Sequence, residues 1–230
     1  MDTFPHVVVT GGLGALGGAV CKKLVQGRYA VTVVDRVRDT AGDHAAAGPM
    51  HLETADLADS ASASACAARI LARSGRVDAL VNIAGGFAWE TIASGSAATW
   101  DWMYESNVRS CLNACREFLP TLLHSPRPRI VNIGSSAAAR AGAGMGAYAA
   151  AKSSVLRLTE ALAEEQKLSQ LTVNAILPSI IDTPANRREM PDADFGRWVA
   201  PEAIAAVVMF LLSDAARAIH GAGIPVTGRV

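Results

Sequence analysis

The sequence has little of what metal centres and disulfide frameworks are built from. Its four cysteines, at 21, 66, 111 and 115, fall in helical patterns and include no Cys-x-x-Cys pair. Cys111 and Cys115 share a helix face, but no histidine or further cysteine stands near them. They read as small buried hydrophobes rather than zinc ligands. The five histidines are scattered and suggest no ligand cluster. Net charge is missing as well, since Lys+Arg and Asp+Glu number 21 each. That removes the field that would recruit nucleic acid or an acidic membrane surface. No apolar run approaches the ~20 residues that cross a bilayer, and residues 1–6 lack the basic region of a signal peptide. The expectation is a cytoplasmic, metal-independent protein with neither a nucleic-acid nor a membrane partner.

What is present is a core. Half of the 230 residues are hydrophobic, enough to bury a sizeable interior in one α/β domain spanning 1–230. Short β-branched or apolar runs at 7–10, 30–34, 50–54, 77–83, 129–134, 171–177 and 224–226 read as strands. Helical patterns at 19–25, 60–74, 99–123, 148–168 and 201–212 alternate with them, the last with Pro201 at N1. Residues 37–49 read as a loop or short helix, and 87–98 as a loop. Repeated strand-then-helix units imply a doubly wound parallel sheet of about seven strands, helices on both faces, and a ligand at the carboxyl strand ends.

Two stretches carry chemistry. The first strand runs into Gly11-Gly12-Leu13-Gly14-Ala15-Leu16-Gly17-Gly18 and then a helix. Strand, glycine turn and helix offer free backbone N–H groups to a pyrophosphate. The next strand ends in Asp35, 18 residues after Gly17, near the ~20 expected for a carboxylate on an adenosine ribose. The second stretch runs from Ser135 to Lys152. Tyr148 and Lys152 are four apart, on one helix face. An ammonium beside a phenol lowers the phenol pKa towards the working range of a proton donor. Ser135, at a strand end, can hydrogen-bond the oxygen that receives the proton. An ordinary surface Tyr and Lys on an amphipathic helix is the competing reading of that pair alone.

With Ser135 thirteen residues before Tyr148, the chain resembles the short-chain dehydrogenase/reductase family over nearly its whole length. The resemblance implies a Rossmann-type fold, a nicotinamide cofactor, a small-molecule substrate and a homodimer or homotetramer. The run Ala149-Ala150-Ala151 would permit the close helix packing such assemblies use. It implies a catalytic set of Asn107, Ser135, Tyr148 and Lys152, with Lys152 also on the nicotinamide ribose and Asn107 anchoring a proton-relay water. For the cofactor it implies Gly11, Gly14, Ala15, Leu16, Gly17, Asp35, Arg36, Asp56, Leu57, Asn82, Ala84, Gly85, Tyr148, Lys152, Pro178, Ile181 and Thr183. The middle glycine of the family's usual turn would fall at Ala15; Gly14 supplies it one residue earlier. Ile83 and Ser179 stand where the family usually has Asn and Gly. Asp56 would meet the adenine amino group, unless it caps the helix from 60.

The stretch 177–198 and Ala84-Gly85-Gly86-Phe87 resemble dihydropteridine reductases more narrowly, although those usually lack the serine this chain has at 135. A pterin reductase, and a dinucleotide-sensing regulator without turnover, are therefore the rivals to a carbonyl/alcohol oxidoreductase. Asp35 favours NAD(H), because its charge would repel the 2′-phosphate of NADP(H). Arg36 and Arg38 leave NADP(H) open. Residues 185–200 read as a mobile lid over the substrate, and Phe87, Trp89, Met190, Phe195 and Trp198 as candidates for its pocket or the core.

Overall fold

The computed structural model describes residues 4–36 and 50–230; Arg38 and the stretch 37–49 lie outside the described residues. Seven strands form one sheet: β1 (His6–Thr10), β2 (Ala30–Asp35), β3 (Met50–Thr54), β4 (Ala79–Asn82), β5 (Arg129–Ile133), β6 (Thr172–Pro178) and β7 (Gly223–Val226). Their order is β3-β2-β1-β4-β5-β6-β7, and every pairing is parallel. The connections reverse direction between β1 and β4, which opens a crevice at the carboxyl ends of those strands.

The helices are α1 (Ala15–Gln26), α2 (Ser60–Ser74), α3 (Ala97–Met103), α4 (Ser110–Leu122), α5 (Gly146–Glu165), α6 (Pro184–Glu189) and α7 (Pro201–Leu212). Strand residues alternate between two cores. Val8, Leu80, Ile130 and Val173 pack with α2, α4 and α5, whereas Val7, Val9, Val81 and Val131 pack with α1 and α7. The α/β doubly wound reading of the sequence is what the structure shows.

Three local expectations need correction. α1 begins at Ala15 rather than near 19, with Gly17 inside its first turn. A Cβ on Gly17 would lie 2.2 Å from the Gly11 carbonyl oxygen, so glycine lets the helix seat directly on the turn. The pattern at 99–123 is not one helix: Tyr104–Arg109 forms a π-helical turn between α3 and α4. α5 ends at Glu165, three residues short of the expected end. The stretch 185–200, read from the sequence as a mobile lid, contains regular local structure. It holds α6 and a 3₁₀ turn at Phe195–Arg197, and Trp198 and Val199 are buried. Val199 bridges to Ile181, which ties the end of the stretch to the sheet side of the cleft. The alanines of α5 pack partly inside the chain: Ala147 and Ala151 meet Met103 and Val108, while Ala150 is exposed.

Candidate active site

The carboxyl ends of β1, β2, β4, β5 and β6 border one cleft of about 980 Å³. At its β1 end Gly11 adopts φ +69°, and a Cβ there would meet the Ala84 backbone nitrogen at 2.7 Å. Gly14 caps α1 without a side-chain hydrogen bond. Among the described residues no side chain accepts from the first-turn N–H groups of Ala15, Leu16 and Gly17, and all three residues line the cleft. Asp35, closing β2, accepts from the backbone N–H of Leu13 at 3.2 Å and of Arg36 at 2.8 Å. Those bonds hold the carboxylate at the cleft wall with acceptor capacity left over. An open helix N-terminus and a fixed carboxylate suit the phosphates and ribose of a dinucleotide.

The other end gathers Asn107, Ser135, Tyr148 and Lys152 on the same cleft. Ser135 follows β5, and its Oγ accepts from the Ala137 N–H at 3.2 Å, which orients the hydroxyl. Burial raises the Tyr148 phenol above its ordinary value, and a hydrogen bond with Ser135 partly offsets that. Lys152 is 6% exposed. Its Nζ donates to the Ile133 carbonyl at 3.0 Å and stands 5.9 Å from the centre of the Tyr148 ring. Desolvation of the phenol sets the net direction of its shift in this structure. Burial also brings Lys152 itself down to about 8, against a smaller opposing effect of Cys111.

Asn107 owes its position to the π turn. An extra residue per turn rotates its side chain inward, as π-helical turns at functional sites commonly do. Its Nδ2 donates to the carbonyls of Met103 at 3.0 Å and Gly86 at 3.1 Å, and its Oδ1 accepts from the Gly86 N–H at 3.3 Å. A Cβ on Gly85 would fall 2.5 Å from Asn107 Oδ1 and 3.4 Å from Lys152 Nζ, so glycine is needed where these groups converge.

Of the other expected cofactor residues, Arg36, Asp56, Leu57, Ala84, Gly85, Pro178, Ile181 and Thr183 line the cleft. Asp56 does not cap α2. Asp59 does, accepting from the Ser62 N–H at 2.6 Å, which leaves Asp56 at the cleft. Thr183 caps α6 by accepting from the Asn186 N–H at 3.2 Å. Asn82 is the exception. It is 4% exposed and lies beneath the cleft, donating to Asn132 Oδ1 at 2.9 Å and to Cys115 Sγ at 3.4 Å. Ser179 donates to the Thr227 carbonyl at 2.7 Å, a bond glycine could not make.

Sequence reasoning missed Trp102, Glu105, Ser106 and Arg188, all on the cleft wall. The π turn carries Glu105 and Ser106, Trp102 stands on α3 just before it, and the trace of the turn in the sequence is a five-residue step between buried Met103 and Val108. Phe87 lines the cleft as considered. Trp89 packs over Gly144 instead, and Trp198 belongs to the interior. Among the described residues, no group of His, Cys, Asp or Glu is arranged to hold a metal ion, and no helix is long and apolar enough to cross a membrane.

A doubly wound sheet with a glycine turn at its switch point defines a Rossmann-type protein. Residues 5–194 match the short chain dehydrogenase family model. The chain belongs to that family and is an oxidoreductase of the nicotinamide-dependent kind. It is 32% identical over 236 residues to an acetoacetyl-CoA reductase of Shinella zoogloeoides, covering 96% of each chain. A cyclopentanol dehydrogenase of Comamonas testosteroni is 29% identical over 238 residues, covering 96% of this chain and 95% of that one. The solved short-chain type dehydrogenase/reductase from Mycobacterium ulcerans superposes with a TM-score of 0.91 at 26% identity, covering 99% of this chain and 90% of that one.

Proposed function

We propose that the protein moves a hydride between NAD(H) and the carbon of a carbonyl or alcohol, with Tyr148 transferring the proton. The observation that supports this most is the convergence of Asn107, Ser135, Tyr148 and Lys152 on the cleft that also holds the open end of α1 and Asp35. The bound nicotinamide supplies or takes the hydride. Tyr148 gives its proton to the substrate oxygen during reduction and takes it back during oxidation. Ser135 donates to that oxygen and fixes its place. Lys152 brings positive charge to the phenolate side of Tyr148 and bonds the nicotinamide ribose. Asn107 holds the turn at Gly85 and Gly86 and anchors a water that refills Tyr148. Two relatives named for a carbonyl reduction and an alcohol oxidation agree with this reaction class.

Asp35 directs the preference to NAD(H). Backbone donors fix both its oxygens at the cleft wall, and a 2′-phosphate bound beside them would meet a like charge. Exposed Arg36 is the group that leaves NADP(H) a weaker second choice. Titration with NADH and NADPH, followed by NADH absorbance against simple ketones and quinonoid dihydropterin, tests the reading. Tighter NADPH binding refutes the cofactor assignment, and turnover of the pterin alone refutes the substrate class.

A further inference from the structure

The substrate end of the cleft carries groups that hydride transfer does not itself require. Phe87 meets Tyr148 edge-on, with ring centroids 5.0 Å apart, yet 53% of it stays exposed. Trp102 lies across Gly86, where a Cβ would come within 2.9 Å of the indole, and is 40% exposed. Half-open aromatic rings on a cleft wall beside a reacting hydroxyl provide a surface for a flat apolar body.

A cation borders the same cleft. α6 is fixed by its Thr183 cap and by Asn186 Nδ2, which donates to the Ile181 carbonyl at 2.8 Å. Arg187 is fully engaged: it donates through Nε and Nη2 to Asp182 at 2.6 and 2.7 Å and lies over the Phe195 ring at 4.8 Å. Consecutive residues on a helix diverge by roughly 100°, and the neighbouring Arg188 is exposed. It lines the cleft and has no hydrogen-bond or ion-pair partner among the described residues. Glu105, an acid of the cleft, is matched by Arg109 at 3.3 Å. An unmatched guanidinium on the same cleft as an apolar wall is a fork for a carboxylate.

Building on the hydride-transfer reading, we propose that the substrate is an aryl or cyclic keto acid, or the corresponding hydroxy acid. Its ring rests against Phe87 and Trp102, and its carboxylate pairs with Arg188. In reduction the carbonyl carbon gains the hydride from NADH, the oxygen gains the Tyr148 proton, and the carboxylate is unchanged.

The test compares benzoylformate, its neutral methyl ester and pyruvate with NADH-loaded protein, with cyclohexanone alongside. The acid is expected to exceed the ester about tenfold or more in kcat/KM. R188A should lose at least tenfold more on the acid than on the ester, mainly in KM, and R188K should recover part. F87A and W102A should shrink the preference for benzoylformate over pyruvate. An acid-to-ester ratio of one or less, or binding of neither compound, overturns the proposal. So does an R188A variant that binds NADH more weakly while keeping the acid preference, since the guanidinium would then serve the cofactor phosphates. Reduction of cyclohexanone without preference for the acid leaves hydride transfer standing and removes only the carboxylate.

Discussion

Two buried polar clusters share β5 and α5 and differ in how completely their groups are paired. One runs across the sheet beneath the cleft. Thr10 donates to Asn82 Oδ1 at 3.5 Å, Asn82 to Asn132 Oδ1 at 2.9 Å, Asn132 to Thr159 Oγ1 at 2.9 Å, and Thr159 to the Val155 carbonyl at 2.8 Å. All four residues are at most 4% exposed. The other is built from Ser135, just after β5, and from Tyr148 and Lys152 of α5, and faces the cleft. There the Lys152 ammonium, able to donate three hydrogen bonds, makes one among the described residues. A closed ladder stabilises the fold, whereas a set with unmet bonding capacity weakens it and keeps groups available for a ligand.

The largest effect should separate the clusters in activity. Tyr148→Phe is expected to lower kcat/KM by about 10²–10⁴-fold, while NADH affinity and urea stability stay near wild type. Near-normal turnover would remove Tyr148 from the proton step. Asn132→Ala is expected to do the opposite. It strips partners from Asn82 and Thr159 and should cost about 2–4 kcal/mol in urea unfolding, with NADH affinity of the folded fraction retained. An unchanged midpoint would mean that the ladder is not the stabilising member of the comparison.

Lys152→Met sharpens the contrast, because it should abolish turnover and still raise stability by about 1–2 kcal/mol. The wild-type sign can be checked by pH. Folded Lys152 releases its proton at about 8 and the unfolded residue near 10.5. The unfolded chain therefore binds more protons in that window, and stability rises with pH across it. The variant should lack that rise in a urea series from pH 7 to 10.

The smallest effect lies at the amino ends of the strands. His6 bonds the Arg76 carbonyl through Nδ1 at 2.7 Å and Thr32 through Nε2 at 2.8 Å, and burial lowers its pKa below 6.5. Its stabilising contribution is complete above 6.5 and declines as pH falls from there towards the lower folded value. His6→Gln should flatten that part of the stability curve, and an unaltered acid slope would exclude His6 as its source.

Much of the cleft was legible because it depends on local patterns. Gly11 and Gly17 stand where only glycine fits, Asp35 closes an alternating strand, and Tyr148 and Lys152 lie one turn apart on α5. Asn82 misled, because a strand-end Asn beside a glycine turn reads the same whether it faces a ligand or a neighbouring strand. Only the pairing of β4 with β5 turned it towards Asn132.

The sequence by itself determined the order of strands and helices, the glycine turn, the carboxylate at the end of β2 and the thirteen-residue register from Ser135 to Tyr148. These follow from periodicity and from steric limits within a few residues. The tertiary structure alone decided the π turn that brings Ser106 and Asn107 to the cleft, the burial that shifts Tyr148 and Lys152 in opposite directions, and the pairing of Arg187 with Asp182. Each of those depends on desolvation or on contacts between segments distant in the chain, and such energies exist only once the elements have packed.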